Sequence, residues 1–200
     1  MKARKLKRNF YTQPTLKVAQ QLLGKFLVRK IGSKTLAGMI VETEAYIGPQ
    51  DKASHAFGGK RTARNQAEWM TGGHIYIYLV YGMYWQLNIS TGKEDRPECV
   101  LIRAIQPTNG IALKGKGVRV KGIERAANGP GKLCRWLKLN KSFYGEDVTK
   151  SRRIWLEEKG IKFKPSQIKK GPRIGIDYAG LFWSKKPWRF WLKDNPCVSK

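Results

Sequence analysis

Residues 74–90 read HIYIYLVYGMYWQLNIS, the strongest β signal in the chain. Aromatic and β-branched residues dominate the run, and one glycine, Gly82, breaks it. Alternate side chains of a strand share a face, so Tyr76 and Tyr78 point one way while Ile75, Ile77, Leu79 and Tyr81 point the other. Gly82-Met83 is the expected hairpin tip, because glycine accepts the dihedrals of a tight turn without steric cost. Tyr81 and Met83 then stand at the end of a rigid ribbon. A core face explains Tyr76. It does not explain a large ring at an exposed tip, which in a basic protein suits a wedge between bases and a reaction that takes a base out of the helix.

Working outward, Lys25–Ile31 and Thr35–Tyr46 read as strands joined by a turn at Gly32-Ser33-Lys34, and Gly48-Pro49 ends the second. Val100–Ile105 is a further strand closed by Pro107, and Arg173–Tyr178 and Arg189–Leu192 read as late strands. Leu16, Ala19, Leu22 and Leu23 after Pro14 have helical spacing, with Gly24 as the stop. Lys132–Leu139 and residues 151–159 are the other expected helices, and 50–73 is mostly loop with a helical turn. Residues 110–132 are rich in glycine and lysine, which leaves their structure open. The order of elements predicts an α+β fold: one compact domain, a mostly antiparallel sheet and flanking helices. Residues 1–8 are expected as a basic flexible tail and 9–200 as a single domain.

The chain has 40 Lys and Arg against 14 Asp and Glu, a net charge of +26. Solubility requires far less; charge of this size draws polyanions, of which a phosphate backbone is the usual one. No apolar stretch nears the roughly 18 residues of a spanning helix. MKARKLKRNF lacks the apolar segment of a signal peptide. Cys99, Cys134 and Cys197 are scattered without a CxxC pair, and His55 and His74 match no metal spacing. No P-loop or dinucleotide fingerprint occurs. The expectation is a reduced, intracellular protein (bacterial cytoplasm and nucleoid, or eukaryotic nucleus) that uses no metal and does not engage membranes.

Against this excess of cations, residues 40–46, IVETEAY, place two carboxylates in an apolar run. Ile40, Glu42, Glu44 and Tyr46 share one face. Either that face is wet and its glutamates pair with surface cations, or one is a catalytic acid or base. Glutamates at i and i+2 lie roughly 6–7 Å apart, within the separation of about 5–9 Å used by O-glycoside hydrolases. The net charge argues against a neutral sugar polymer.

Taken in order, VETEAYIGP, SHAFGGKRTARN, YIYLVYGMYWQLNIS, VLIRAIQP, NGPGKLC and PRIGI resemble the alkyladenine (3-methyladenine) DNA glycosylases of the mammalian type, from about Tyr11 to Ser199. The resemblance implies a curved antiparallel sheet with a protruding, DNA-intercalating β-hairpin. It also implies cofactor-free excision of alkylated, and possibly deaminated or etheno, purines from double-stranded DNA by a monomer. Carried over by motif, Glu44 is the general base. Arg103 helps to hold the attacking water, and the main-chain carbonyl of Ile174 touches it. Tyr46, His55 and Tyr78 wall the base pocket, and the Asn88 side chain disfavours the exocyclic amine of guanine. Tyr81 fills the gap left by the flipped nucleotide with Met83 beside it, and Thr62 and Lys132 contact the DNA strand. Glu42 keeps a surface or pairing role, and His74 is a strand-end residue.

The chain departs from the family pattern in 110–127, at Gly131, where a serine is common, and in DYAGLFW after PRIGI. Neither Glu44 nor Arg103 supplies the amine of a Schiff-base glycosylase, so base release leaves an abasic site. A cationic base is held by the faces of Tyr46 and Tyr78 and leaves readily. A neutral lesion such as hypoxanthine needs its leaving base protonated, and no acid for that stands out in the sequence. The competing class is a non-catalytic RNA- or DNA-binding protein, which the charge and the aromatics fit equally well.

Overall fold

A computed structural model of the chain describes residues 3–108 and 125–199. The segment 110–127 therefore lies almost wholly outside the described residues. Nine strands occur among those described: β1 (Arg4–Lys5), β2 (Phe26–Ile31), β3 (Lys34–Ile47), β4 (Ile75–Val80), β5 (Tyr84–Ser90), β6 (Glu98–Pro107), β7 (Ile154–Glu158), β8 (Ile168–Gly171) and β9 (Arg189–Leu192). They form one sheet in the order β1-β7-β2-β3-β6-β5-β4; β9 adds to the second half of β3, and β8 adds to β9. Every pairing is antiparallel. The helices are short: α1 (Arg8–Tyr11), α2 (Thr15–Leu22), α3 (Pro130–Trp136) and α4 (Leu181–Ser184). The architecture is the expected single domain built on a mostly antiparallel sheet.

The longest strand, β3, is buried on both faces from Ile40 to Ala45. Its odd face packs on α2, whose Val18, Ala19 and Leu22 are fully buried, and Thr43 Oγ1 donates to the Ala19 carbonyl at 2.8 Å. Gly24, at φ +84°, ends α2 in the left-handed conformation that glycine adopts without strain. The even face carries Glu42, Glu44 and Tyr46 toward β6 and the 173–176 segment.

Several expectations are corrected. Residues 151–159 hold strand β7 rather than a helix: Ile154 and Leu156 are fully buried and Trp155 and Glu157 are not, a period of two that β1 and β2 complete on either side. Residues 173–178 form a turn and a 3₁₀ segment, because Arg173 is anchored inward and Gly175 has φ +75°. The third helix begins at Pro130, a residue suited to a first turn. Residues 4–8, expected within a loose tail, form β1 and the start of α1, and Leu6 between them is buried. The tip of the β4–β5 hairpin is Tyr81-Gly82, with φ of +51° and +68°, closed by the Met83 amide donating to Val80 O at 3.1 Å. The turn thus falls one residue before the expected Gly82-Met83, and a bulky tyrosine occupies a left-handed position that costs on the order of 1 kcal/mol.

Candidate active site

The antiparallel register of β3 and β6 slips on both sides of Glu42: Ile40 faces Ile105, Glu42 faces Ala104, and Thr43 faces Ile102, so Arg103 has no partner opposite it. This irregularity aims Arg103 between the two glutamates. Its Nε donates to Glu42 Oε1 at 2.9 Å, and its Nη1 lies 3.3 Å from Glu44 Oε1. Both carboxylates are completely buried. Glu42 is therefore not on a wet face, as a surface role would require. It also receives Arg189 Nε at 2.7 Å, the Ser199 amide at 2.7 Å and Ser199 Oγ at 2.8 Å. Its pairing role holds; its partners come from β6, from β9 and from the residues beyond β9.

Glu44 has a different set of donors. The Ile174 amide donates to Oε1 at 2.9 Å and the Tyr46 hydroxyl to Oε2 at 2.9 Å. Burial pushes the Glu44 carboxyl above the usual carboxylate range, while the Arg103 charge, the Ile174 N–H and the Tyr46 O–H pull it back. All three favour the ionised form, and none needs an acceptor in return.

In front of this group lies a cavity of about 500 Å³. Tyr46, Arg103, Ile174, His55, Tyr78, Asn88 and Tyr81 all line it. The structure thus brings together, around one space, predicted residues from β3, β4, β5, β6, the hairpin tip and two loops. Glu44 sits directly behind Tyr46, Arg103 and Ile174. Asn88 is held by its amide, which donates to Tyr76 O at 3.2 Å. His55 Nδ1 lies 2.6 Å from the Tyr76 hydroxyl, and the His55 ring stands edge-on to Tyr78, their centroids 4.7 Å apart. Desolvation of the ring in this cluster, with the charge of Arg64, holds the His55 pKa down to about 4, so the imidazole is neutral at pH 7. Tyr81 is 87% exposed and Met83 63%, beside each other at the turn.

Met83, Thr62 and Lys132 do not line the cavity. Thr62 is exposed in a turn capped by Asn65, whose Oδ1 accepts from the Thr62 amide at 2.7 Å. Lys132 is exposed and reaches Asn128 Oδ1 at 3.0 Å. A Cβ at Gly131 would come 2.9 Å from the Tyr84 ring, so a serine there would require that ring to shift. His74, as expected, lies at a strand end, bridging to Asp147.

Three residues at or behind the cavity escaped sequence reasoning. Arg173 is fully buried in a pair with Asp51, its Nη2 2.9 Å from Asp51 Oδ1, and its guanidinium stacks 4.7 Å from the Tyr46 ring centre. It braces Tyr46 from behind and sets the backbone of Ile174. Its only signal was adjacency to Ile174. Arg64 lines the cavity 5.6 Å from the centre of the Tyr78 ring. Glu68, in a 3₁₀ turn over Gln66–Trp69, lines the cavity from within and is 2% exposed. No group of His, Cys, Asp and Glu able to hold a metal occurs among the described residues. No helix among them is long and apolar enough to cross a membrane.

Residues 9–196 match the model of the methylpurine-DNA glycosylase family. The chain belongs to that family. A relative from Methanocella arvoryzae named putative 3-methyladenine DNA glycosylase is 46% identical over 196 residues, covering 98% of this chain and 96% of the relative. One of the same name from Clostridium perfringens is 44% identical over 204 residues, covering 98% and 99%. The human DNA-3-methyladenine glycosylase is 38% identical over 200 residues, covering 95% of this chain and 66% of its own length. The protein is accordingly a DNA glycosylase, an enzyme of base-excision repair that acts on DNA. The alternative of a non-catalytic nucleic-acid-binding protein falls with that membership.

Proposed function

We propose that this glycosylase, acting as a monomer, hydrolyses the N-glycosidic bond of an alkylated purine flipped from duplex DNA into the cavity, and leaves an abasic site. The observation that carries the reading is Glu44. It is a completely buried carboxylate with three donors and no acceptor to satisfy, set behind an aromatic-walled space that the hairpin tip adjoins. Breaking the bond builds positive charge on the sugar. A carboxylate at that point stabilises the charge and takes a proton from the attacking water. Arg103 orients both water and Glu44. Ile174 holds Glu44 through its amide, a contact additional to the expected role of its carbonyl.

In this reading Tyr46, His55 and Tyr78 sandwich the base, and Asn88 sets which purine edge fits. Tyr81 enters the stack in place of the flipped nucleotide, with Met83 beside it, and Thr62, Lys132 and the general positive charge grip the backbone. The chemistry suits a compartment that holds chromosomal DNA.

The test is a duplex with one defined lesion, incubated with the protein and then treated with alkali. A break at the lesion only after alkali is expected. A break without alkali would contradict the abasic-site product, and no break across alkylated, etheno and deaminated purines would overturn the substrate reading.

A further inference from the structure

The cavity contains a second buried carboxyl whose surroundings are the reverse of those of Glu44. Glu68 Oε1 accepts only the weak thiol donor Cys99 Sγ, at 3.4 Å. Its Oε2 is buried and has no hydrogen-bond partner among the described residues. No ion pair among those residues includes it, although Arg64 and Arg103 line the same cavity. The titratable groups around it are Cys99 from β6, Tyr76 and Tyr78 from β4, and Tyr144 from the turn after residues 141–143. All are neutral in their ordinary state. Burial without a cation pushes the Glu68 pKa up to about 8, so the group is a neutral acid at pH 7. With Oε1 occupied by the thiol hydrogen, the acid proton belongs on Oε2.

The other titratable groups of the pocket are weaker proton donors at pH 7. His55 is neutral at pH 7. Tyr46, Tyr76 and Tyr78 are pushed well above the ordinary phenol range by burial. Glu44 is engaged as the base. Two carboxyls in one site, one surrounded by donors and one starved of them, is the arrangement that separates a base from an acid.

We propose that Glu68 is a specificity-determining residue of this site, donating a hydrogen bond, and during bond cleavage a proton, from Oε2 to neutral purine lesions. The inference rests on the glycosylase reading above. As the C1′–N9 bond breaks, its electron pair passes into the base while the Oε2 proton transfers to a ring nitrogen or carbonyl oxygen. Water adds to C1′ and loses its proton to Glu44. After release, Glu44 returns a proton to solvent and Glu68 takes one up, so the cycle balances as hydrolysis. A purine methylated at a ring nitrogen carries its positive charge already and does not need the donated proton.

The experiment compares single-turnover release of hypoxanthine, from a defined duplex, with release of 3-methyladenine, from methylated duplex DNA, for the wild type and Glu68→Gln between pH 6 and pH 9. Glutamine keeps the shape but not the acid. The ratio of hypoxanthine to 3-methyladenine rates is expected to fall at least tenfold in the variant, within the range of lost general-acid catalysis. The wild-type hypoxanthine rate is expected to decline as pH rises through about 8, a decline absent for 3-methyladenine and absent in Glu68→Gln. Glu68→Met, with its melting curve, serves as a second variant in which the ratio falls at least as far. An unchanged ratio, equal losses for both bases, or a decline near pH 8 that persists in Glu68→Gln would overturn the proposal. Wild-type release of 3-methyladenine without hypoxanthine would overturn it and leave the glycosylase reading standing, whereas release of neither would overturn both.

Discussion

Glu42 and Glu44 are two residues apart on one strand, equally buried, and share Arg103, yet they occupy different worlds. Glu42 is closed in by Arg103, Arg189 and both the amide and hydroxyl of Ser199. Glu44 has one more distant guanidinium, one amide and one phenol, and the groups that hold it are themselves the cavity wall. Burial alone therefore says little about role. What separates a structural carboxylate from a reactive one is whether its neighbours face only one another or also face an open space.

Four substitutions can break or sharpen the contrast. Glu44→Gln should reduce base release by about three orders of magnitude or more while lesion binding persists, because shape is kept and the base is lost; gel-shift and single-turnover assays read the two separately. Glu42→Ala should act on the fold instead, costing roughly 3–5 kcal/mol in denaturant titrations by leaving Arg103 and Arg189 under-paired. If Glu42→Ala proves as stable as wild type but inactive, the division of labour is wrong.

Tyr46→Phe removes one donor to ionised Glu44. The Glu44 carboxyl, already raised by burial, should rise further, so the rate on a cationic lesion, which climbs as Glu44 ionises, should climb at higher pH than in wild type. A loss of about tenfold at the acid end of the profile that narrows as pH rises is expected, since a hydrogen bond to a charged group is worth about 1.5–3 kcal/mol; a pH-independent loss would mean that the hydroxyl acts on the base. Tyr81→Ala should have the smallest effect, weakening lesion-specific binding by about 1–2 kcal/mol through lost stacking and non-specific binding less. Equal losses in a competition titration would remove the wedge.

Local pattern made part of this legible. Strands β2 to β6 and β9 announced themselves by β-branched and aromatic runs between glycines and prolines, and α2 by its spacing and Gly24. The aromatic walls and Glu44 came from motifs that are contiguous in the chain. What stayed hidden depended on distant partners. Ile154 and Leu156 in five residues fit a strand or a helix turn equally well until β1 and β2 flank them. Glu42 looked solvent-facing because Arg189 and Ser199 lie about 150 positions on. Glu68 lies in a stretch legible only as loop, and it is the fold that sets it against Cys99 and the tyrosines. Arg173 was read as part of a strand because Asp51, its anchor, is remote in sequence.

The Glu68 site also has a bearing on how stability varies with pH. Its pKa rises from 4.5 to about 8 on folding, so the folded chain retains a proton that the unfolded chain releases. Stability should thus decline across that interval and level off above it, by on the order of 5 kcal/mol in all. A chain with methionine at this position should hold its stability from mild acid through neutral pH better than the natural one, which keeps an acid in its floor at the expense of endurance.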